Sequence, residues 1–188
     1  MRQMLLVLGL CVLFVGGEVQ AKEVEGVFIP QTLQAGDEQL TLQGAGVRSK
    51  FFFDLYVGAL YLNRAQSSAQ EIIAADAPMA IRLHIISKLI TSKKMEKATR
   101  EGFEQVTQGN LSSLEQRVDS FIQVFKQEAI EKDDVFALVY VPGQGVQTRK
   151  NGTLLARIPG LDFKQALFAI WLSKNPVQKS LRESMLGR

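Results

Sequence analysis

The chain has 188 residues, 22 of them basic and 19 acidic for a net charge of +3, with a single histidine and a single cysteine. So small a surplus, without a Lys/Arg block or an interleaved aromatic stripe, leaves no footprint for nucleic acid. One histidine excludes a zinc or di-iron site built on several imidazoles, and one cysteine excludes an internal disulfide and any cysteine metal cluster.

Residues 1–21 have the layout of a secretory signal peptide: Arg2, an apolar core over residues 4–15, and a small-residue ending Val19-Gln20-Ala21. That core falls short of the roughly 20 residues a membrane-spanning helix needs, so cleavage ahead of Lys22 is expected and not a retained anchor. Cys11 follows Leu10, where a lipid-attachment site would want a small residue, and cleavage removes it. The expectation is an exported chain, periplasmic in a Gram-negative host, with one domain over residues 22–188 and no stable membrane span. Loss of Arg2 and Glu18 leaves the charge unchanged.

The mature chain reads as strands, helices, strands and helices. Residues 24–33 and 39–43 are short extended pieces around a Gly36-Asp37 turn, and the aromatic-rich run 51–62 reads as one strand. A polar connection, 63–78, holds Ser67 to Glu71 as a possible short-helix start before a strand at 79–87. Two helices follow, over 92–108 and from Asn110 or Leu111 to about Glu131. In the second, Leu114, Val118, Phe121, Ile122, Phe125 and Ala129 recur at three- and four-residue steps and form one core-facing stripe.

Residues 135–141, VFALVYV, are apolar at both parities, which fits a central strand covered on both faces. Pro142 to Gly145 turns the chain into 146–150, and Asn151-Gly152 is a two-residue hairpin signal leading into 153–158, so these three strands form an antiparallel meander. Asp162 is placed to cap a helix over 163–173, and Asn175-Pro176 interrupts it before 177–185. Helices grouped between hairpin strands define an α+β sandwich, an antiparallel sheet with helices on one side.

The segment from Leu42 to Leu62, LQGAGVRSKFFFDLYVGALYL, places the lone Arg48 at the mouth of an apolar run. This arrangement suits a ligand with one anionic end and an apolar body. Gly44-Ala45-Gly46-Val47-Arg48, the strand ending Gly58-Ala59-Leu60-Tyr61-Leu62, the helix segment Glu96-Lys97-Ala98-Thr99, Val141-Pro142-Gly143, and the stretch from Ala166-Leu167-Phe168 to Pro176-Val177-Gln178-Lys179-Ser180-Leu181 occur in one order. In order and spacing the chain resembles the chalcone isomerase-like superfamily over nearly all of residues 22–188. The resemblance implies an open-faced β-sandwich whose large sheet and helical layer enclose an apolar cleft. The superfamily includes plant enzymes that cyclise chalcones, fatty-acid-binding members without that reaction, and exported bacterial members.

The enzymes of that superfamily use an arginine, threonines, a tyrosine and an asparagine around the cleft. Arg48 matches the arginine through its GAGxR context. The other positions fall at Tyr56 for a threonine, Lys94 for the tyrosine, Glu101 for the asparagine and near Ile170 for the second threonine. These replacements remove the phenol and hydroxyls that would hold the ketone and its water, which argues against chalcone cyclisation. Fatty-acid-binding members hold a carboxylate with the equivalent arginine and a tyrosine of the following strand, which Arg48 and Tyr56 would supply. A guanidinium forks a carboxylate with two charge-assisted bonds and a phenol adds a third donor.

One geometric condition attaches to that pair. On one straight strand, eight steps of roughly 3.3 Å would set Arg48 and Tyr56 about 26 Å apart. A bend or bulge around residues 47–50, for which Gly44 and Gly46 give freedom, is therefore required.

Simpler readings stand beside each residue. Arg48 is alternatively a surface charge paired with Asp54 or Glu38, and Tyr56 a core aromatic. Phe51, Phe52 and Phe53 read as core packing, His84 as a satisfied structural histidine, Lys94 and Glu101 as a solvated helix face, and Trp171 as core or one end of a cleft. The expectation carried forward is a ligand-binding protein for a fatty acid or another amphipathic anion, with Arg48 as anchor, Tyr56 as helper, no metal and no organic cofactor. Catalysis is left open: an isomerase or intramolecular lyase would need His84 or Glu101 in the same cleft. An envelope protein-interaction module, its partner unspecified, would instead show a filled cleft and an exposed apolar patch.

Overall fold

The structure, a computed structural model, describes residues 21–188, so the expectation of a signal peptide falls on residues that lie, save for Ala21, outside the described ones. A two-stranded hairpin, β1 (Ala21–Val24) and β2 (Val27–Pro30), precedes a seven-stranded antiparallel sheet. Its strands are β3 (Thr32–Ala35), β4 (Glu38–Lys50), β5 (Phe53–Leu62), β6 (Met79–Ile85), β7 (Val135–Val141), β8 (Gly145–Lys150) and β9 (Thr153–Ile158), each hydrogen-bonded to the next in sequence. The helices are α1 (Ala69–Ala74), α2 (Ser92–Val106), α3 (Glu115–Ile122), α4 (Leu161–Leu172) and α5 (Lys179–Met185). The α+β sheet-and-helix architecture read from the sequence is the one observed, with the expected three-strand meander extended to seven. Among the described residues no helix is long and apolar enough to cross a membrane.

Strand alternation sorts the core into two layers. Leu60 and Leu62 of β5, Ile81 and Leu83 of β6, and Phe136, Leu138 and Tyr140 of β7 face the helices and pack with Phe103, Phe121, Phe163 and Phe168. On the other face Val57, Ala59, Tyr61, Ala80 and Val139 pack with Val27 and Ile29 of the β1–β2 hairpin, and the Tyr61 hydroxyl donates to the Pro30 carbonyl at 2.9 Å. This two-sided burial explains why β7 is apolar at both parities.

Three boundaries differ from the sequence reading. The strand expected over 51–62 begins at Phe53, because residues 51–52 form the turn of a β4–β5 hairpin. The second helix, expected to run to Glu131, ends at Ile122 with one 3-10 turn, Gln123–Phe125. Beyond it the Ala129 carbonyl accepts from the buried Lys150 ammonium at 2.7 Å and Ile130 enters the core, a tertiary pull that outweighs helical continuation. Asp162 is not the cap of α4; Gly160 is, and Asp162 sits in the first turn where it takes a bidentate ion pair from Arg117 at 2.7 and 2.6 Å.

The Gly44 and Gly46 positions have a role other than bending. Both lie within β4, and a Cβ on Gly44 would stand 2.2 Å from the Ser184 carbonyl oxygen, one on Gly46 2.5 Å from Ser184 Cβ. The missing side chains let α5 rest directly on the strand backbone.

At the other end of the helical layer the fully buried Lys164 of α4 donates to the carbonyls of Ile72 (3.1 Å), Ile73 (2.9 Å) and Ala75 (2.6 Å), the unsatisfied acceptors at the end of α1. Burial, partly offset by Asp76, pulls its pKa from the ordinary 10.5 to about 8. Between those values the unfolded chain holds the proton that the folded chain has released, so this group makes stability rise with pH from about 8 toward 10.5. Melting curves across that window should show the rise in the wild type and its loss in Lys164→Met. The variant should also be less stable by about 3 kcal/mol near neutral pH, having orphaned three buried carbonyls.

Candidate ligand-binding cavity

The β4–β5 hairpin builds one wall of the site. Arg48 and Tyr56 are direct cross-strand partners, followed by Ser49 opposite Asp54 and Lys50 opposite Phe53. The condition set by the sequence is therefore met by a reversal of the chain and not by a bend within one strand: partners so placed have Cβ atoms about 5 Å apart. The ladder shifts by one residue between Arg48 and Ser49, leaving Leu55 as the extra residue of a β-bulge. The bulge allows consecutive residues Leu55 and Tyr56 to line the same cavity, which regular alternation forbids.

That cavity has a volume of about 560 Å³ and lies between the sheet and the helices. Its size falls within the ~300–1,000 Å³ usual for small-molecule sites. Phe121, Phe125 and Phe136 form an edge-to-face aromatic stack on its inner wall, with centroids 5.7 and 5.6 Å apart. Met95, Ile170 and Leu83 continue the apolar lining.

Arg48 is half-buried and lines this cavity. Its Nη1 donates to the Ser49 carbonyl and, at 3.0 Å, to Gln178 Oε1, which also accepts from the Ser49 amide at 2.9 Å. Gln178 closes the clamp by donating to the Val47 carbonyl at 3.3 Å. Neither carboxylate weighed as a surface partner is engaged: Asp54 accepts instead from the Ser49 hydroxyl at 2.6 Å.

The Tyr56 hydroxyl is buried and accepts from Trp171 Nε1 at 2.9 Å. Because its oxygen is already supplied with a donor, its own proton is free to be given to a ligand. Burial pushes the phenol pKa up; the Trp171 bond and the Arg48 charge pull against that. The group is a neutral donor beside a cation.

The remaining positions sort clearly. Lys94, Glu101 and Ile170, the positions that the superfamily resemblance assigned, line the cavity with Arg48 and Tyr56. Lys94 and Glu101 are exposed, as a solvated helix face requires, yet they stand at the cavity. His84 does not: it pairs with Val57 and Val135 on the opposite face of the sheet, with Nε2 3.5 Å from Asp133. It is less satisfied than expected, since its buried Nδ1 has no partner among the described residues, and burial with the nearby Arg82 lowers its pKa. Phe51, Phe52 and Phe53 are not core residues; the turn exposes all three. Gln178 and the donor role of Trp171 escaped the sequence reading, because neither residue carries a local pattern that names its partner 115 to 130 positions away. Among the described residues no cluster of three or more His, Cys, Asp or Glu side chains is arranged to hold a metal ion.

A meandering antiparallel sheet with helices on one face and a cavity between the two layers defines the class of open-faced β-sandwiches. The chain belongs to the chalcone isomerase-like family, whose profile it matches over residues 21–187. Among solved structures it is similar to the crystal structure of the Arabidopsis thaliana fatty-acid binding protein AtFAP1, with a TM-score of 0.68 and 19% identity over 86% of this chain and 92% of that one. No curated protein sequence matches the chain.

The Tyr56–Trp171 bond makes a prediction. Tyr56→Phe leaves the indole N–H buried without an acceptor and should cost about 1–3 kcal/mol in denaturant unfolding. Combining it with Trp171→Phe should cost less than the sum of the two single changes by about 1 kcal/mol, the coupling of one shared hydrogen bond.

Proposed function

We propose that this protein binds a fatty acid or a similar amphipathic monoanion, with the anionic head on Arg48 and Tyr56 and the apolar body against Phe121, Phe125 and Phe136. The carrying observation is the cross-strand Arg48–Tyr56 pair at the wall of a cavity whose inner lining is apolar and whose rim carries charge. A clamped guanidinium and a phenol with a free proton offer charge-assisted donors, and each methylene withdrawn from water adds about 0.8 kcal/mol. The likeness of fold to a protein named for fatty-acid binding supports the same reading. The pattern of residues 1–21 supports export, to the periplasm in a Gram-negative host; intact mass of the protein from such cells should correspond to a chain starting at Lys22.

Trp171 is the only tryptophan and lines the cavity, so its fluorescence reports occupancy directly. Titration with a long-chain fatty acid should change it saturably, and Arg48→Ala should weaken affinity by about 10- to 100-fold. The corresponding fatty alcohol, lacking the charge, should bind both forms alike. Mass spectrometry of material extracted from the purified wild type should find an acyl species that Arg48→Ala loses. An empty wild type that also ignores added fatty acids would sink this reading.

A second reading, an isomerase or intramolecular lyase, has one observation in its favour: Glu101 lines the same cavity as Arg48, while His84 does not. Nuclear magnetic resonance of the extracted ligand before and after incubation with fresh protein distinguishes the two. Rearrangement that disappears in Glu101→Gln would favour the enzyme, and an unchanged ligand the binder.

A further inference from the structure

The β4–β5 hairpin ends in a feature that the cavity alone does not require. Its turn is Phe51-Phe52, and the side chains there are 86% and 100% exposed, with Phe53 behind them at 56% and Leu89 of the neighbouring loop at 41%. Phe51 has φ +57°, the left-handed conformation that such turns normally give to Gly, Asn or Asp. A bulky aromatic held there costs strain and solvent exposure, whereas the other two-residue hairpin turns among the described residues, Glu25-Gly26, Gly36-Asp37 and Asn151-Gly152, each include a glycine.

The surroundings say what meets the tip. Phe51, Phe53 and Leu89 all line the cavity, so the apolar tip and the cavity share one rim. The other exposed residues of that rim include Lys50, Lys94 and Lys97. Among charged residues lining the cavity Arg48 is a fourth cation, and Glu101, 3.7 Å from Lys97, is the one acid. A narrow two-residue projection of aromatic rings set in a collar of lysines fits an anionic bilayer surface. Rings enter the boundary between headgroups and chains, and ammonium groups stay at the headgroups on flexible apolar stems. A protein partner would call for a broader apolar face than Phe51, Phe52, Phe53 and Leu89 present.

We propose that the Phe51-Phe52 tip inserts into the interface of an anionic lipid bilayer, with Lys50, Lys94 and Lys97 on the headgroups, so that the mouth of the cavity faces the membrane. Exchange of an acyl ligand at that contact rests on the fatty-acid reading above; the docking does not. Phe52 is the residue to change, because it is fully exposed and does not line the cavity.

The test uses the full chain with vesicles of phosphatidylglycerol or of phosphatidylcholine. In Phe52→Trp the added fluorescence should shift to the blue with phosphatidylglycerol vesicles and be quenched by brominated acyl chains. It should do neither with phosphatidylcholine, and the response should weaken as salt is raised. This signal is local to the tip, so any other membrane contact leaves it unaffected. Phe52→Asp should lower partitioning onto phosphatidylglycerol vesicles about tenfold or more, while the Trp171 response to fatty acid in solution and the melting temperature stay as in the wild type. An emission at position 52 indifferent to phosphatidylglycerol overturns the docking, as does equal partitioning of Phe52→Asp and the wild type. So does a dimeric wild type that Phe52→Asp converts to monomer, because a second copy would then cover the tip. Insertion of the tip in a protein that binds no fatty acid upholds the docking and removes only the cargo; fatty-acid binding with no insertion does the reverse.

Discussion

The seat of α5 on β4 is the contact on which the geometry of the cavity depends. A helix packs against a sheet at a distance set by the side chains between them, and at Gly44 and Gly46 there are none. The Ser184 backbone and side chain occupy the space that two Cβ atoms would fill, which seats α5 directly on the strand backbone. Gln178, the residue just ahead of α5, is thereby delivered to the end of β4, where its amide holds the Ser49 N–H, the Val47 carbonyl and Arg48 Nη1 together. A flexible arginine loses much of its rotamer freedom on binding an anion. Here Gln178 already orders the guanidinium, a preorganisation that would favour the anion binding proposed above.

The second fixed element is Tyr56, and it is fixed from the opposite direction. Trp171 of α4 reaches it with an indole N–H while β4 supplies Arg48 beside it, so strand, helix and hairpin converge on one hydroxyl. The bulge at Leu55 makes the convergence possible without distorting the ladder further along, where Val57, Gly58 and Ala59 keep regular partners on both sides. The cavity of about 560 Å³ is bounded on both sides by these fixed elements, with Tyr56 on the sheet side and Trp171 on the helical side.

What could be read from the sequence followed patterns with local causes. Asn151-Gly152 takes positive φ at both residues and makes the β8–β9 hairpin, and VFALVYV becomes a strand buried on both faces. The β4–β5 hairpin was hidden because its turn is written in phenylalanine, with none of the residues that normally permit φ above zero. That one omission turned two cross-strand neighbours into residues about 26 Å apart on paper. The glycines of GAG suggest backbone freedom, whereas a helix from the far end of the chain lies on them, a tertiary fact with no local mark. The early end of α3 is of the same kind, since the pull of Lys150 on the Ala129 carbonyl comes from β8.

The positions inferred from the family order show where sequence comparison carries weight. Arg48, Tyr56, Lys94, Glu101 and Ile170 lie around one cavity, as their order and spacing in the sequence suggest, with side chains, Arg48 apart, other than those the resemblance gives for ring-closing enzymes. Lys94 and Glu101 stand at solvent-exposed positions on α2, whereas Tyr56 and Ile170 are buried. Charges at an exposed rim are solvated and screened, and are suited to attracting or orienting a ligand as it enters. A buried donor acts in a low-dielectric setting, where each hydrogen bond has greater effect. The cavity thus separates its electrostatics by depth, with long-range positive charge outside, Arg48 between, and one neutral phenol within. The anion with an apolar tail proposed above would meet those three environments in the order in which it would pass through them.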